Sequence, residues 1–209
     1  ANKVKKELKE LGYESELIPI KSLGDLVLDK PLYELGVTGV FTKSLDIAML
    51  NKEIDIAVHS LKDVPTVLPE GIIQAAVLKR ANYTDLLVLK DTEEFFGQPN
   101  GVIATGSLRR KAQWLHRYPT HKVEDIRGNV NTRLEKLADS ETWNGAIFAA
   151  AGLERLGKRD KGAIPLTWMI PAPGQGAIMI TALEEDDFVI DACEQLNHHE
   201  TKVCVGIER

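Results

Sequence analysis

Two hydrophobic periods alternate along the chain and divide it into elements. At the start Val4, Leu8 and Leu11 recur at helical spacing and Gly12 stops the pattern, which predicts a helix already under way at residue 1. Glu16 to Ile20 reads as a short strand, and Lys21 to Lys30, polar and containing Gly24-Asp25, as a loop. Gly36 and Gly39 flank a turn, after which Thr42 is placed to cap a helix bearing Leu45, Ala48 and Met49 on one face. Short apolar runs follow at Ile54 to Val58, Ile72 to Leu78 and Asp85 to Leu89, each of strand length. The first of them runs into His59-Ser60-Leu61-Lys62-Asp63-Val64-Pro65, where Pro65 forbids simple continuation. Residues 91–100, with Gly97, Pro99 and Asn100, read as a linker.

The second half repeats one unit. Val102 to Ala104, Lys122 to Ile126 and Ala146 to Ala150 predict strands. Each is followed by a short turn and a helical pattern, over Ser107 to Arg117, Asn131 to Leu137 and Gly152 to Leu156. Strand, turn and helix three times in succession predict a parallel sheet with crossover helices. Pro171, Pro173, Gly174 and Gly176 mark a second boundary, followed by a strand over Met179 to Ala182 and a helix over Asp191 to Arg209. Two α/β domains joined by two crossings fit this order better than one continuous sheet.

Composition adds little until charge is placed. The 209 residues are 44% apolar and 27% charged, as in a globular protein. The longest apolar run, Ala146 to Ala151, is far short of the ~18 residues of a membrane span. No signal peptide is visible. Two cysteines, Cys193 and Cys204, are too few for a disulfide framework. A cytoplasmic protein without a membrane partner is expected. The chain has no initiator Met and ends without a helix breaker, so sequence is expected to be missing at both ends.

The net charge of −5 conceals an asymmetry. Between Thr105 and Arg133 stand seven basic residues and two acidic ones, so that stretch is +5 and the remainder −10. One basic segment in an acidic protein predicts a local anion site, not a broad nucleic-acid face. In open α/β sheets ligands gather beyond the carboxyl ends of strands. Four such ends carry unusual polar residues: Ser60, Lys62 and Asp63; Thr105, Ser107, Arg109 and Arg110; Arg127 with Arg133; and Arg155. The turn before Ser107 opens a helix whose free N–H groups favour an anion. Arginine holds carboxylate or phosphate bidentately, so five arginines at three successive strand ends predict a ligand with several negative groups. For any one of them a structural salt bridge is the plainer reading. Asp63 is expected to face the arginine-rich block across the cleft, to stay ionised, and to be able to stabilise a developing cation. His59 is expected to be packed or hydrogen-bonded. His198 and His199 diverge on a helix and make no metal pair. Cys193 and Cys204, about 16 Å apart along one helix, do not either.

These residues also lie in motifs of a known family. Asp55 to Pro65 (DIAVHSLKDVP) resembles the active-site aspartate segment of the porphobilinogen deaminases, or hydroxymethylbilane synthases. Thr105 to Arg110 (TGSLRR), Ile126 to Val130 with Thr132 to Leu134, and Ala151 to Leu156 are similar to further motifs, as are Pro171 to Ala177 (PAPGQGA) and Leu196 to Thr201 (LNHHET). Six motifs fall in order over nearly the whole chain. The resemblance implies a transferase of tetrapyrrole (heme) biosynthesis. Such enzymes join four porphobilinogen molecules head to tail, with loss of ammonia, to give hydroxymethylbilane. It implies two domains like type II periplasmic binding proteins, each a mainly parallel sheet with flanking helices, and a third α/β domain largely absent here. The expected bounds are 1–92 with 174–194 for the first, 97–172 for the second, and 195–209 for the start of the third.

The resemblance also implies a dipyrromethane cofactor, thioether-linked to a cysteine beyond Arg209 and not to Cys193 or Cys204. By family match Asp63 is catalytic: it accepts hydrogen bonds from pyrrole N–H groups and stabilises positive charge as ammonia leaves and the next ring attacks. Ser60, Lys62, Thr105, Ser107, Arg109, Arg110, Arg127, Gly128, Arg133, Arg155 and, less firmly matched, Gln175 hold the acetate and propionate groups of cofactor and substrate. The partners implied are porphobilinogen and the growing pyrrole chain, with no nucleic acid, no metal and a monomeric state. Three departures stand out: Thr38 and Ser44 replace a Lys and a Glu, and Gly106 replaces a Ser. The family's first strand with its Arg-Lys-Ser segment lies before residue 1, and nearly all of its third domain with the cofactor cysteine lies beyond Arg209, so this piece alone is expected to be inactive. The competing reading is a two-domain anion-binding protein without catalysis, which would tolerate loss of Asp63 but not of Arg109 or Arg127.

Overall fold

The computed structural model describes residues 1–21, 39, 41–159 and 162–209. The expected loop beyond Lys21, and Gly36 and Thr38, lie outside them. The chain separates into two compact units. Unit 2 holds Asn82–Ala172, and unit 1 holds Pro173–Arg209 with the described residues before Asn82.

Unit 2 is built on a five-stranded mixed sheet. Its strands are β3 (Asp85–Leu89), β4 (Val102–Ala104), β5 (Lys122–Glu124), β6 (Gly145–Ala149) and β7 (Ile164–Pro165), in the order β5-β4-β6-β3-β7. β4 pairs parallel with β5 and β6, whereas β3 runs antiparallel to β6 and β7. The near-continuous apolar runs of β3 and β6 follow from burial on both faces. Leu86, Val88, Ala146 and Phe148 meet Leu137 and Leu153 on one side. Leu87 and Ile147 meet Phe95, Ile103, Trp114 and Leu166 on the other. Each strand thus feeds two cores by simple alternation. The flanking helices are α3 (Leu108–Arg117), α4 (Val130–Asp139) and α5 (Ala150–Arg155).

Unit 1 carries α1 (Asn2–Glu10), α2 (Lys43–Leu50), α6 (Asp187–Glu194) and α7 (His199–Glu208). These pack around a sheet of β1 (Ile56–Ser60), β2 (Ile72–Val77) and β8 (Ile178–Leu183), in the order β1-β8-β2. Val4 and Leu8 of α1 and Cys193 of α6 meet Ala76, Ile180 and Ala182 of the sheet. Met49 and Ala48 of α2 meet Ala57 and Ile72.

Several expectations are corrected. The described strands of unit 1 pair antiparallel throughout, so a mainly parallel sheet is not what their register shows. β3 belongs to the second unit: its ladder with β6 runs from Asp85↔Ala149 to Leu89↔Gly145. The first crossing therefore precedes Asn82 and does not fall at 91–100. That stretch instead forms a 3-10 turn over Glu93–Gly97, whose Phe95 is buried in the core of unit 2. Glu16 to Ile20 takes no strand pairing among the described residues. The helix expected over Asp191 to Arg209 is two. Asn197 accepts from the N–H of Val77 at 2.9 Å, and His198 starts the second helix by accepting from the N–H of Thr201. Residues 195–209 pack on unit 1, where Val205 joins Leu61, Val77 and Met179.

Candidate functional site

Unit 1 presents its candidate residues where β1 ends. Ser60 closes the ladder opposite Ile178, and Leu61–Asp63 then form one 3-10 turn. Leu61 is fully buried, Lys62 half-buried, Asp63 exposed and Val64 buried. The turn is fastened at its start by the Leu61 N–H to the Ala177 carbonyl, 3.0 Å. Gln175 is buried, and its carbonyl accepts from Arg80 Nε at 2.9 Å. Arg80 also pairs with Glu208, whose carboxylate accepts in addition from the N–H of Gly174 at 2.8 Å. These bonds hold the Glu208 carboxyl below its usual range, the Arg80 contact being the largest cause.

His59 lies beneath this turn, buried, with Nε2 3.1 Å from Thr181 Oγ1. That is the packed, hydrogen-bonded histidine the sequence suggests. Burial pushes its pKa down to about 4, so it is neutral at physiological pH. Cys193 is buried in the core and burial pushes its thiol up to about 11, the state of an inert cysteine. Cys204 is exposed on the other helix.

Unit 2 presents its residues at one edge of the sheet. β4, β5 and β6 are mutually parallel, so their carboxyl ends share that edge, and α3, α4 and α5 start there. Between β4 and α3, Thr105 is buried and its Oγ1 accepts from the N–H of Ser107 at 3.3 Å. Ser107 caps α3 by accepting from the N–H of Arg110. Between β5 and α4, Asn129 caps α4 by accepting from the N–H of Thr132 at 3.0 Å. Gly128 has φ +110°, and a Cβ there would stand 2.8 Å from the Thr132 side chain, so only glycine fits. Its carbonyl accepts from Arg133 Nε at 2.7 Å, which folds Arg133 back over the turn. The Arg127 carbonyl accepts from Lys136 at 3.2 Å. Arg155 is exposed, and its Nε returns along α5 to the Ala151 carbonyl at 3.1 Å, toward the end of β6. The Gly106 departure has a physical counterpart: a Cβ at this position would lie 2.8 Å from the Ile126 carbonyl oxygen.

Arg109 and Arg110 are engaged by a buried carboxylate. Asp85, fully buried at the start of β3, accepts from Arg110 Nε at 3.1 Å and Nη2 at 2.7 Å, and from Arg109 Nη2 at 2.8 Å. Arg110 Nη1 donates to the Ile147 carbonyl at 3.0 Å, and Arg109 also donates to that of Ile170. Arg110 is 5% exposed and holds α3 to the sheet. For this pair the plainer reading, a structural salt bridge, describes the observed contacts. Sequence reasoning missed Asp85 as a partner. Its signal was an acid opening an otherwise apolar strand, a position that burial tolerates only with a counter-ion.

Among the described residues no group of three or more His, Cys, Asp or Glu stands together as metal ligands. None of their helices is long and apolar enough to cross a membrane. A cavity of about 390 Å³ in unit 1 is lined by Asp55, Glu185, Asp186 and Asp187 with Lys52, which pairs with Glu185, so its balance is acidic and unsuited to a polycarboxylate.

Two α/β units, one offering capped helix starts and arginines at the carboxyl ends of parallel strands, define a protein of the type II periplasmic-binding-protein-like class. In fold the chain is similar to an ancestral cationic amino acid solute binding protein, with TM-score 0.53 and 14% identity over 99% of this chain and 80% of that one. It is also similar to the VFT2 domain of Bordetella pertussis BvgS, with TM-score 0.50 and 13% identity over 98% and 82%. At such identities the likeness concerns the fold alone. The particular family follows from sequence: the family model described as porphobilinogen deaminase, dipyromethane cofactor binding domain, matches residues 1–191. The porphobilinogen deaminase of Desulforamulus reducens is 47% identical over 93% of this chain, and the chloroplastic one of Oryza sativa subsp. japonica 42% over all of this chain. The chain belongs to the porphobilinogen deaminase family. It spans 63% of the first relative's length and 59% of the second's.

Proposed function

We propose that this chain is the substrate-handling part of a cytoplasmic transferase that condenses four porphobilinogen molecules, with release of ammonia, into hydroxymethylbilane for tetrapyrrole synthesis. The observation that carries the reading is the chemistry gathered at the strand ends. Unit 2 sets Thr105, Ser107, Arg127, Arg133 and Arg155 at one edge of its sheet, and unit 1 sets Ser60, Lys62 and Asp63 at the end of β1. Each pyrrole carries an acetate and a propionate, so a growing chain is a polyanion that such cations and helix starts suit.

The same donors fit a dipyrromethane, which bears the same carboxylates. When bound, that group supplies the nucleophilic pyrrole carbon that primes the chain. Cys193, buried with a raised pKa, is unsuited to carry it. Arg127, Arg133, Arg155 and Lys62 neutralise and orient carboxylates. Ser60 and Ser107 direct hydroxyls at the same groups, buried Thr105 fixes the turn by accepting from the Ser107 N–H, and Gly128 keeps the α4 start open. Asp63, an exposed carboxylate on a fixed turn, accepts hydrogen bonds from pyrrole N–H groups and stabilises the cation that forms as ammonia departs. Arg110 and Arg109 shape the edge through Asp85, and Gln175 anchors Arg80 through its carbonyl.

The test is the intact mass of the full chain as its gene encodes it, followed by incubation with porphobilinogen. The expected result is a covalent adduct of two pyrrole units, with four ammonia released per linear tetrapyrrole. An unmodified chain that binds porphobilinogen without releasing ammonia would replace this reading with that of an anion-binding protein.

A further inference from the structure

The turn that carries Lys62 and Asp63 is fastened by a residue 148 positions further along the sequence. A 3-10 segment of three residues has little stability of its own. Here one backbone bond, from the Val64 N–H to the Leu61 carbonyl at 3.2 Å, closes it, and Pro65 follows with no N–H to give. The guanidinium of Arg209, just beyond α7, reaches the carbonyls on both sides of Asp63. Nη1 donates to Leu61 O at 2.9 Å, and Nη2 donates to Val64 O at 3.1 Å and Pro65 O at 2.8 Å. Buried Leu61 and Val64 pin the side chains at either end of the turn, so the clamp on their carbonyls completes the fixation of Asp63 between them.

We propose that Arg209 is a positioning residue: it sets the turn geometry on which Asp63 acts, without touching substrate itself. The inference rests on the reading of Asp63 given above. A planar cationic fork suits this task. It bridges several oxygens at fixed angles, whereas an ammonium on a flexible stem meets one or two. Its donors are directed at main-chain carbonyls, not at a site for carboxylates. A carbonyl clamp spanning residues 61 to 65 from position 209 couples the seating of α7 to the Asp63 turn. Misplacement of a reacting group by about 1 Å costs on the order of 100-fold in rate. Lys62 is one of several cations proposed to hold carboxylates, so loosening the turn is expected to lower kcat far more than it weakens binding.

The experiment uses Arg209→Gln and Arg209→Lys in the full chain. Amide hydrogen exchange over residues 60–66 is measured beside kcat, KM for porphobilinogen, and Tm. In Arg209→Gln, exchange in 60–66 is expected to quicken about tenfold or more while the strands of unit 1 keep their protection. kcat falls about 10- to 100-fold and KM stays within about twofold. Arg209→Lys recovers part of both, and it serves as the test should the Gln variant not fold. Unchanged exchange at 60–66 in a folded variant would overturn the proposal. So would a loosened turn with wild-type kcat, or a loss of protection spread evenly over unit 1. If the wild-type chain turns over no porphobilinogen, the functional reading fails by itself, and exchange still decides whether Arg209 holds the turn.

Discussion

The turn after β1 and the turns after β4 and β5 carry the candidate chemistry of the two units and are held by opposite means. In unit 2 the restraints are local. Ser107 and Asn129 cap their own helices, Gly128 supplies a left-handed residue, and Arg133 folds onto a carbonyl five positions back. In unit 1 they are distant. The Leu61–Asp63 turn is fastened by Ala177, by Arg209 and by packing against Met179 and Val205. A locally held turn can bring its side chains to a ligand as soon as its own strand and helix form. A turn held by a residue 148 positions later in sequence is tied to the packing of α7, so its geometry reports the integrity of unit 1.

The sharpest way to break this contrast is to remove a distant restraint on which unit 2 does depend. Asp85→Ala leaves the buried Arg110 guanidinium without its carboxylate. Loss of one partner of a buried pair costs about 3–5 kcal/mol, to be read from urea unfolding of unit 2. Unit 1 should respond to pH instead. The depressed pKa of His59 means that the native state binds fewer protons than the unfolded chain between about 4 and 6.5. Its contribution is complete above pH 6.5 and is lost as the pH falls through that window, to a total of about 3 kcal/mol. His59→Gln should flatten that part of the stability-against-pH curve. Gly128→Ala, which forces a Cβ toward Thr132 at positive φ, should cost about 1–3 kcal/mol and weaken anion binding in unit 2 alone. Asn129→Ala removes a cap and should cost about 1 kcal/mol by thermal unfolding.

The same division governs what could be read from the sequence. The helix opening at Ser107 and the Asp85 to Leu89 strand were legible because a turn before a periodic run and an apolar run of strand length are properties of adjacent residues, whereas Thr42, read as a cap, makes no side-chain cap bond. The two-unit α/β organisation followed from repetition of strand, turn and helix. The partners of β3 were not legible, since an apolar strand pairs equally well in either sheet until the fold chooses. The break between α6 and α7 depends on Asn197 meeting Val77, a contact 120 residues apart. The inward commitment of Arg110 depends on Asp85, and the Arg209 clamp on carbonyls, which have no sequence code at all. Thr105, Ser107, Arg127 and Arg133 stand where strand-end reasoning puts them, because parallel strands deliver their carboxyl ends to one edge.

In the proposed reaction Asp63 drives ammonia release, while Arg127, Arg133 and Arg155 hold the substrate. This division of labour is tested most directly by a single-turnover measurement on Asp63→Asn in the full chain, with bound porphobilinogen and free ammonia followed together. The account predicts binding within about threefold of wild type and ammonia release slowed by at least about 100-fold, the scale of losing one stabiliser of transition-state charge. Release at the wild-type rate would contradict it.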